Sequence, residues 1–180
     1  MAYAPILATL GYVFSPDGES VLLIHRNKRA QDAHLGKYNG LGGKLEPAED
    51  PVSCMTREIH EESGIRATRL ELRATINWPG FGKAGEDWFG FLFRVTAFDG
   101  VPHEGNSEGT LGWHDLESVT GLPMWEGDRY FLPLVLDPSG IPFHATMPYK
   151  DGKPVSWNPV FLPHMGQARG LSIASPSNPQ

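Results

Sequence analysis

The sequence predicts an α+β fold, and three observations point there. Short apolar β-type runs stand on both sides of one strongly marked helical segment. A second helical segment comes late, and Gly, Pro and Asp turns punctuate every run without any internal repeat. Taken in order, residues 6–14 are an apolar run broken by Gly11, Pro16-Asp17-Gly18 supplies a turn, and 21–24 is apolar again, a hairpin pattern. Residues 25–40 carry basic and amide groups with no sustained period and read as a long loop, which in a small domain goes with function. Asp50-Pro51 then provides an N-cap and a proline at the first helical position. Val52, Met55 and Ile59 follow at helical spacing, and Gly64 closes the helix. Residues 70–78 and 88–98 are β-rich around a Gly-rich loop, 99–110 is a polar loop, and 111–116 is a short strand. Residues 128–136 read as a short helix, with 141–149 and 155–157 as a late hairpin around Lys150-Asp151-Gly152. The expected organisation is one domain over 1–162 and a loose tail over 163–180.

A chain of 180 residues buries about 70% of its extended surface, enough for a core without a metal or disulfide staple. The net charge of −6 argues against a protein that grips long nucleic acid by its backbone. The one cysteine, Cys54, rules out an internal disulfide framework and suits a reducing cytoplasm. No run approaches 18 apolar residues and the first residues lack a basic leader, so the expectation is a soluble cytoplasmic protein with no membrane partner. The residues assign no oligomeric state. The histidines include no HxxxH or HExxH pair, which gives zinc little support.

The chemistry concentrates in 43–65, GKLEPAEDPVSCMTREIHEESGI. At 100° per residue, Glu61 lies about −60° and Glu62 about +40° from Glu58, so three carboxylates share one helix face. They also crowd towards the negative end of the helix dipole. Such a cluster calls for counter-charge. Arg57 is one turn from Glu61, and Glu49 reaches Arg57 from before the helix. One cation leaves an excess of negative charge that a hard divalent ion satisfies, and Mg²⁺ prefers carboxylate oxygen and bridges to phosphates. An acidic pair alone more often marks a solvated helix face.

The full spacing, Gly43-x5-Glu49-x7-Arg57-Glu58-Ile59-x-Glu61-Glu62-x-Gly64-Ile65, resembles the Nudix box in every fixed position. Seven fixed identities coincide by chance with a probability of about 10⁻⁸. The likeness to Nudix hydrolases extends over about 4–150. It implies an α/β/α sandwich with a mixed central sheet, the box helix on one face, and hydrolysis of nucleoside diphosphate derivatives with Mg²⁺, or Mn²⁺ in its place. Carried over by position, Glu58, Glu61 and Glu62 ligate metal together with the Gly42 carbonyl, Arg57 orients the glutamates, and Glu58 or Glu62 takes the proton from the attacking water. Glu108, ahead of Trp113, matches a further acidic ligand from a later loop, with Glu104 as the fallback. The physical need for a cation stands beside the analogy. A triphosphate facing three carboxylates is repelled by about 1 kcal/mol per charge pair at 4 Å in water, and by about 4 kcal/mol at an effective dielectric of 20.

Within the family the sequence is most similar to MutT-type enzymes, especially the animal-type oxidised-purine nucleoside triphosphate pyrophosphohydrolases. That likeness implies substrate contacts at Thr9, at Arg26 on the phosphate side, and at Asn39, Leu41, Gly43 and Lys44 in the stretch leading into the box. Trp125 and Asp128 match a tryptophan-plus-acid segment that stacks on and hydrogen-bonds a purine. Gly127 departs from the pattern, because the group carries two adjacent acids there and only Asp128 remains. Read without the resemblance, Trp125 is first a packing residue and Asn39 equally a turn residue. Cys54 reads as inert packing, His60 as exposed, and the aromatic run at 88–93 as a core strand.

The implied activity is Mg²⁺-dependent cleavage of nucleoside triphosphates, oxidised purines such as 8-oxo-dGTP among them, to a monophosphate and pyrophosphate. Hydrolysis of a dinucleoside polyphosphate, ADP-ribose or capped RNA is the alternative. A non-catalytic nucleotide sensor on the same fold is the reading from another class.

Overall fold

The computed structural model describes residues 2–161 apart from Ala33 and Ser139, and the tail expected over 163–180 lies outside the described residues. β1 (Ile6–Phe14) and β2 (Ser20–His25) meet antiparallel through Val13–Leu22 and Phe14–Val21 and then diverge. Residues 41–45 fill the gap. Gly11 N–H donates to the Leu41 carbonyl at 2.7 Å, Thr9 N–H to Gly43 at 2.8 Å, and Leu45 N–H to Leu7 at 3.0 Å. This strip is therefore hydrogen-bonded along β1 like a short strand. Along its other edge β1 runs parallel to β5 (Trp88–Asp99), from Ile6–Trp88 to Val13–Val95.

β5 is antiparallel to β4 (Arg66–Trp78), β4 is parallel to β7 (Phe143–Thr146), and β7 is antiparallel to β10 (Asn158–Phe161). β2 carries β3 (Tyr38–Asn39) and β6 (Thr110–Asp115). The result is a mixed sheet in the order β10-β7-β4-β5-β1-β2-β3, with β6 also on β2. A separate hairpin pairs β8 (Tyr149–Lys150) with β9 (Lys153–Pro154).

Strand alternation sorts the core into two layers. Val13, Leu22, Ile24, Phe93 and Val95 face α1 (Pro51–Ser63), where Met55 and Ile59 are fully buried. Tyr12, Phe14, Val21, Leu23 and Leu92 face the other way, onto Phe131, Leu132 and Val135 of α2 (Asp128–Leu136). Helix, sheet and helix make an α/β/α sandwich, and each fully buried aliphatic side chain contributes about 1.5–3 kcal/mol. α1 starts where the sequence says it should: Asp50 accepts from Val52 N–H at 2.8 Å and Ser53 N–H at 3.0 Å, and Gly64 ends the helix in the left-handed region at φ 78°. Among the described residues no helix is long and apolar enough to cross a membrane.

Three expectations change. Val52 is exposed, and Cys54 takes its place on the buried face, contacting Thr9 Oγ1 at 3.4 Å. β4 begins at Arg66 instead of 70. The strand expected at 155–157 is instead β10 at 158–161, beyond the small β8–β9 hairpin. Asn158-Pro159 reads as a chain breaker, but at a sheet edge the missing proline N–H removes no ladder bond.

Candidate functional site

The acidic side is organised by one guanidinium. Arg57 Nε and Nη2 donate to the two oxygens of Glu49 at 2.9 and 3.0 Å, a fork-to-fork pair. Nη1 reaches Glu58 Oε1 at 2.8 Å and Glu61 Oε2 at 3.2 Å, while Nη2 also donates to the Lys44 carbonyl at 3.3 Å. The Arg57 hydrogen bonds hold the Glu49 carboxyl down at about 2. Arg57 thus ties the strip at 41–45 to the helix and fixes the direction of Glu58.

Two glycines let the carboxylates come close. At Gly43 a Cβ would stand 2.4 Å from Glu58 Oε1, so Glu58 lies flat against the strip. At Gly42 the backbone is at φ 147° and a Cβ would meet the Thr9 carbonyl at 2.2 Å. Gly42 N–H donates to Glu62 Oε2 at 2.9 Å. Burial pushes the Glu62 carboxyl up to about 8, with Glu58 and Glu108 pushing the same way and the Gly42 N–H and Arg26 opposing.

Glu108 faces the same cleft from the loop before β6, held by Arg26 and by Arg29 Nη1, the latter at 2.6 Å. Arg26 also donates from Nε to Asp32 Oδ2 at 2.7 Å. Asn106 anchors this loop, its Nδ2 on the Glu62 carbonyl at 3.1 Å and its Oδ1 accepting from Glu108 N–H at 2.8 Å.

The facing side is aromatic. Phe81, from the Gly-rich loop after β4, meets the rings of Trp78, Trp88, Trp125 and Tyr149 at centroid distances of 6.0, 6.1, 6.2 and 5.0 Å. Lys37 Nζ stands 4.7 Å over Trp125 and Lys44 Nζ 5.1 Å over Trp88. Trp125 Nε1 donates to His34 Nδ1 at 2.9 Å, and Asn39 Nδ2 contacts the same nitrogen at 3.1 Å. An indole N–H only donates, so His34 Nδ1 is an acceptor and the ring is neutral with its proton on Nε2. Burial lowers the His34 pKa to match. Asp128 Oδ2 accepts from Trp125 N–H at 3.2 Å, and burial lifts its carboxyl to about 7 against that bond and Lys37.

Between the two sides lies a cleft of about 710 Å³. Of the sequence-predicted residues it is lined by Thr9, Arg26, Asn39, Gly42, Gly43, Lys44, Glu58, Glu62, Glu108, Trp125 and Asp128. Leu41 is not brought there: its side chain is fully buried among Met55 and Ile59, and only its backbone serves the strip. Glu61 leans away, 58% exposed, because the 100° that separates it from Glu62 carries it to the solvent flank of α1. Arg57 stands behind Glu58 and outside the lining. Glu104 is exposed.

Sequence reasoning missed Phe81, Tyr149, His34 and Trp88 as cleft residues. A lone Phe within a Gly-rich loop was the one available signal. Trp88 belongs to a sheet strand as expected, yet it sits at the strand's first position and faces the cleft.

Among the described residues no three His, Cys, Asp or Glu side chains come close enough to hold an ion between them. Glu58 is drawn to Arg57, Glu62 to the Gly42 amide and Glu108 to two arginines. The donor set is nonetheless one of hard carboxylate oxygens on one side of one cleft. Glu58 and Glu108 add to the burial that raises the Glu62 carboxyl, and a divalent cation would offset the charge that these three carboxylates bring to the cleft.

The NUDIX domain family model matches residues 4–135. The chain is 32% identical over 130 residues to the oxidized purine nucleoside triphosphate hydrolase of Danio rerio, covering 72% of this chain and 79% of that protein. It is 30% identical over 124 residues (68% of this chain) to an NAD-capped RNA hydrolase of Chromobacterium violaceum, of which it spans 43%. Among solved structures, the MutT protein from Bacillus halodurans superposes with a TM-score of 0.73 at 27% identity, covering 86% of this chain and 97% of that one.

Proposed function

This chain belongs to the NUDIX domain family, and from that premise we propose that it is a divalent-metal-dependent pyrophosphohydrolase of nucleoside triphosphates, releasing a nucleoside monophosphate and pyrophosphate. One observation carries the reading. A single cleft joins a carboxylate side, built from Glu58, Glu62 and Glu108, to an aromatic side with a polar group, built from Trp125, Phe81 and Asp128. Those are the two chemistries a polyphosphate and a base require at opposite ends of one ligand. The Danio rerio relative, named for oxidized purine nucleoside triphosphates, supports the same substrate class.

Glu58, Glu62 and Glu108, with the Gly42 carbonyl, would hold Mg²⁺ or Mn²⁺. When bound there, the cation would supply positive charge that offsets the repulsion between a polyphosphate and these carboxylates. Arg57 keeps Glu58 directed at the cleft, and the Gly42 N–H does the same for Glu62. One of these two carboxylates takes the proton of the attacking water. Arg26 leaves Glu108 or Asp32 to meet a phosphate oxygen. Trp125, braced by Lys37 and His34, offers a stacking face worth about 1–3 kcal/mol. The cytoplasm is the compartment this substrate pool implies.

The test is turnover of dGTP, 8-oxo-dGTP, dATP, ADP-ribose, a dinucleoside tetraphosphate and NAD-capped RNA, each with Mg²⁺, Mn²⁺ or a chelator. Metal-dependent release of pyrophosphate from the triphosphates is expected, with Glu58→Gln and Glu62→Gln cutting kcat by at least 100-fold while melting stays cooperative. Turnover confined to the last three substrates would reassign the substrate class. Absence of turnover on all six sinks the enzyme reading.

A further inference from the structure

The β8–β9 hairpin lies beyond residue 135, where the family match ends. Its first strand is hooked to the loop after β4: Tyr149 N–H donates to the Pro79 carbonyl at 2.7 Å, and its ring meets Phe81 edge-on at 5.0 Å. That anchoring carries the Tyr149 hydroxyl to the start of α2. A Cβ built on Gly127 would stand 2.0 Å from Tyr149 Oη and 2.9 Å from Met147 Sδ. Position 127 and the phenol therefore compete for one space, and the glycine is what admits the hydroxyl. Tyr149 and Asp128 line the same cleft.

We infer that Tyr149 is a specificity-determining residue: its hydroxyl donates to a ring carbonyl of the base while the neighbouring Asp128 carboxylate accepts from the adjacent ring N–H. The pair thereby selects an oxopurine edge. The inference rests on the nucleoside triphosphate reading above and deepens it. Burial, with Asp128 and Glu126 adding to it, holds the Tyr149 phenol well above its ordinary range, so it stays an O–H donor. The carboxyl beside it is an acceptor once ionised. A donor next to an acceptor complements a C=O beside an N–H and mismatches an amino group beside a bare ring nitrogen. A site built to hydrogen-bond a group rejects analogues that lack it, because its own polar atoms are then left unpaired. Gly127, which breaks the two-acid pattern, thus acquires a physical reason: the second polar group comes from a distant hairpin.

The experiment measures kcat/KM for dGTP and for the 2-aminopurine deoxyribonucleoside triphosphate, which lacks the 6-carbonyl, at pH 8 with Mg²⁺. The forms compared are wild type, Tyr149→Phe, Gly127→Ala and the double variant. Tyr149→Phe keeps the ring on Phe81 and removes one O–H. It is expected to lower kcat/KM for dGTP about tenfold, mostly through KM, and to lower the dGTP/2-aminopurine ratio by about the same factor, the preference carried by Asp128 being kept. Gly127→Ala, which displaces the hydroxyl, is expected to reproduce that loss. Adding it to Tyr149→Phe should cost less than about twofold more, since both act on one contact. A wild-type ratio in Tyr149→Phe, or fully additive losses in the double variant, overturns the inference and leaves the functional reading standing. A wild type that turns over no nucleoside triphosphate overturns both.

Discussion

Asp128→Asn should make this protein more stable at neutral pH while blunting its choice of base. Asp128 sits at the first turn of α2 and lines the cleft together with Trp125, and burial raises its carboxyl from the ordinary 3.8 to about 7. The unfolded chain releases the proton near pH 4, whereas the folded protein holds it until about pH 7. The unfolded state thus binds fewer protons across that window, and stability falls as pH rises through it and is flat above. Carrying a carboxyl from 3.8 to about 7 corresponds to about 4 kcal/mol at 1.36 kcal/mol per tenfold change in proton affinity. The group is only partly buried and lines the cleft, so solvent screening brings the expected value to about 2–4 kcal/mol. Asparagine keeps the shape and an oxygen for the Trp125 N–H at 3.2 Å. Urea unfolding at pH 4, 5.5 and 8 reads the effect directly. The variant and wild type should match at pH 4, differ by about half the full amount at pH 5.5, and differ fully at pH 8, with the variant the more stable. A difference that does not grow with pH, or one of opposite sign at pH 8, refutes the reasoning about Asp128.

Two further outcomes follow from the acidic side. Gly43→Ala places a Cβ 2.4 Å from Glu58 Oε1, and the end of a flexible side chain gives way more easily than backbone; kcat should fall about 100-fold while the melting temperature moves by less than about 3 °C in a thermal melt. Arg57→Lys exchanges a fork for a point charge; kcat should fall at least tenfold, and an NMR titration should find the Glu49 carboxyl moving from about 2 back towards 4.5. In the wild type the stability due to the Glu49–Arg57 pair is full above pH 4.5 and is lost as pH falls towards 2, an acid limb that the lysine variant should lose.

How legible a feature was in the sequence depended on how local its cause is. The bounds of α1 follow from Asp50, Pro51 and Gly64, each acting within a few residues, and the Arg57 hub follows from helical spacing plus one upstream glutamate. Leu41 was misplaced because a motif position specifies backbone or side chain without saying which; here the carbonyl serves β1 while the isobutyl group fills the core. Glu61 was grouped with its neighbours because an angular spread of 100° still counts as one face on a helical wheel, although it spans the boundary between cleft and solvent. Phe81, His34 and Tyr149 were invisible for a different reason. Their partners include residues as far as 91 positions away in sequence, and nothing in a loop sequence says where it lands.

The splaying of β1 from β2 divides the molecule's evolutionary labour. The strip that presents Gly42 and Gly43 is laced into the sheet through its backbone, so the hydrolytic half is held by the fold itself. The opposite wall is a glycine-rich loop and a two-stranded flap joined to it through the Tyr149 amide, outside the strip that carries the glutamates. New ligand preferences can arise at positions 81, 127 and 149 while the bond-breaking apparatus stays untouched.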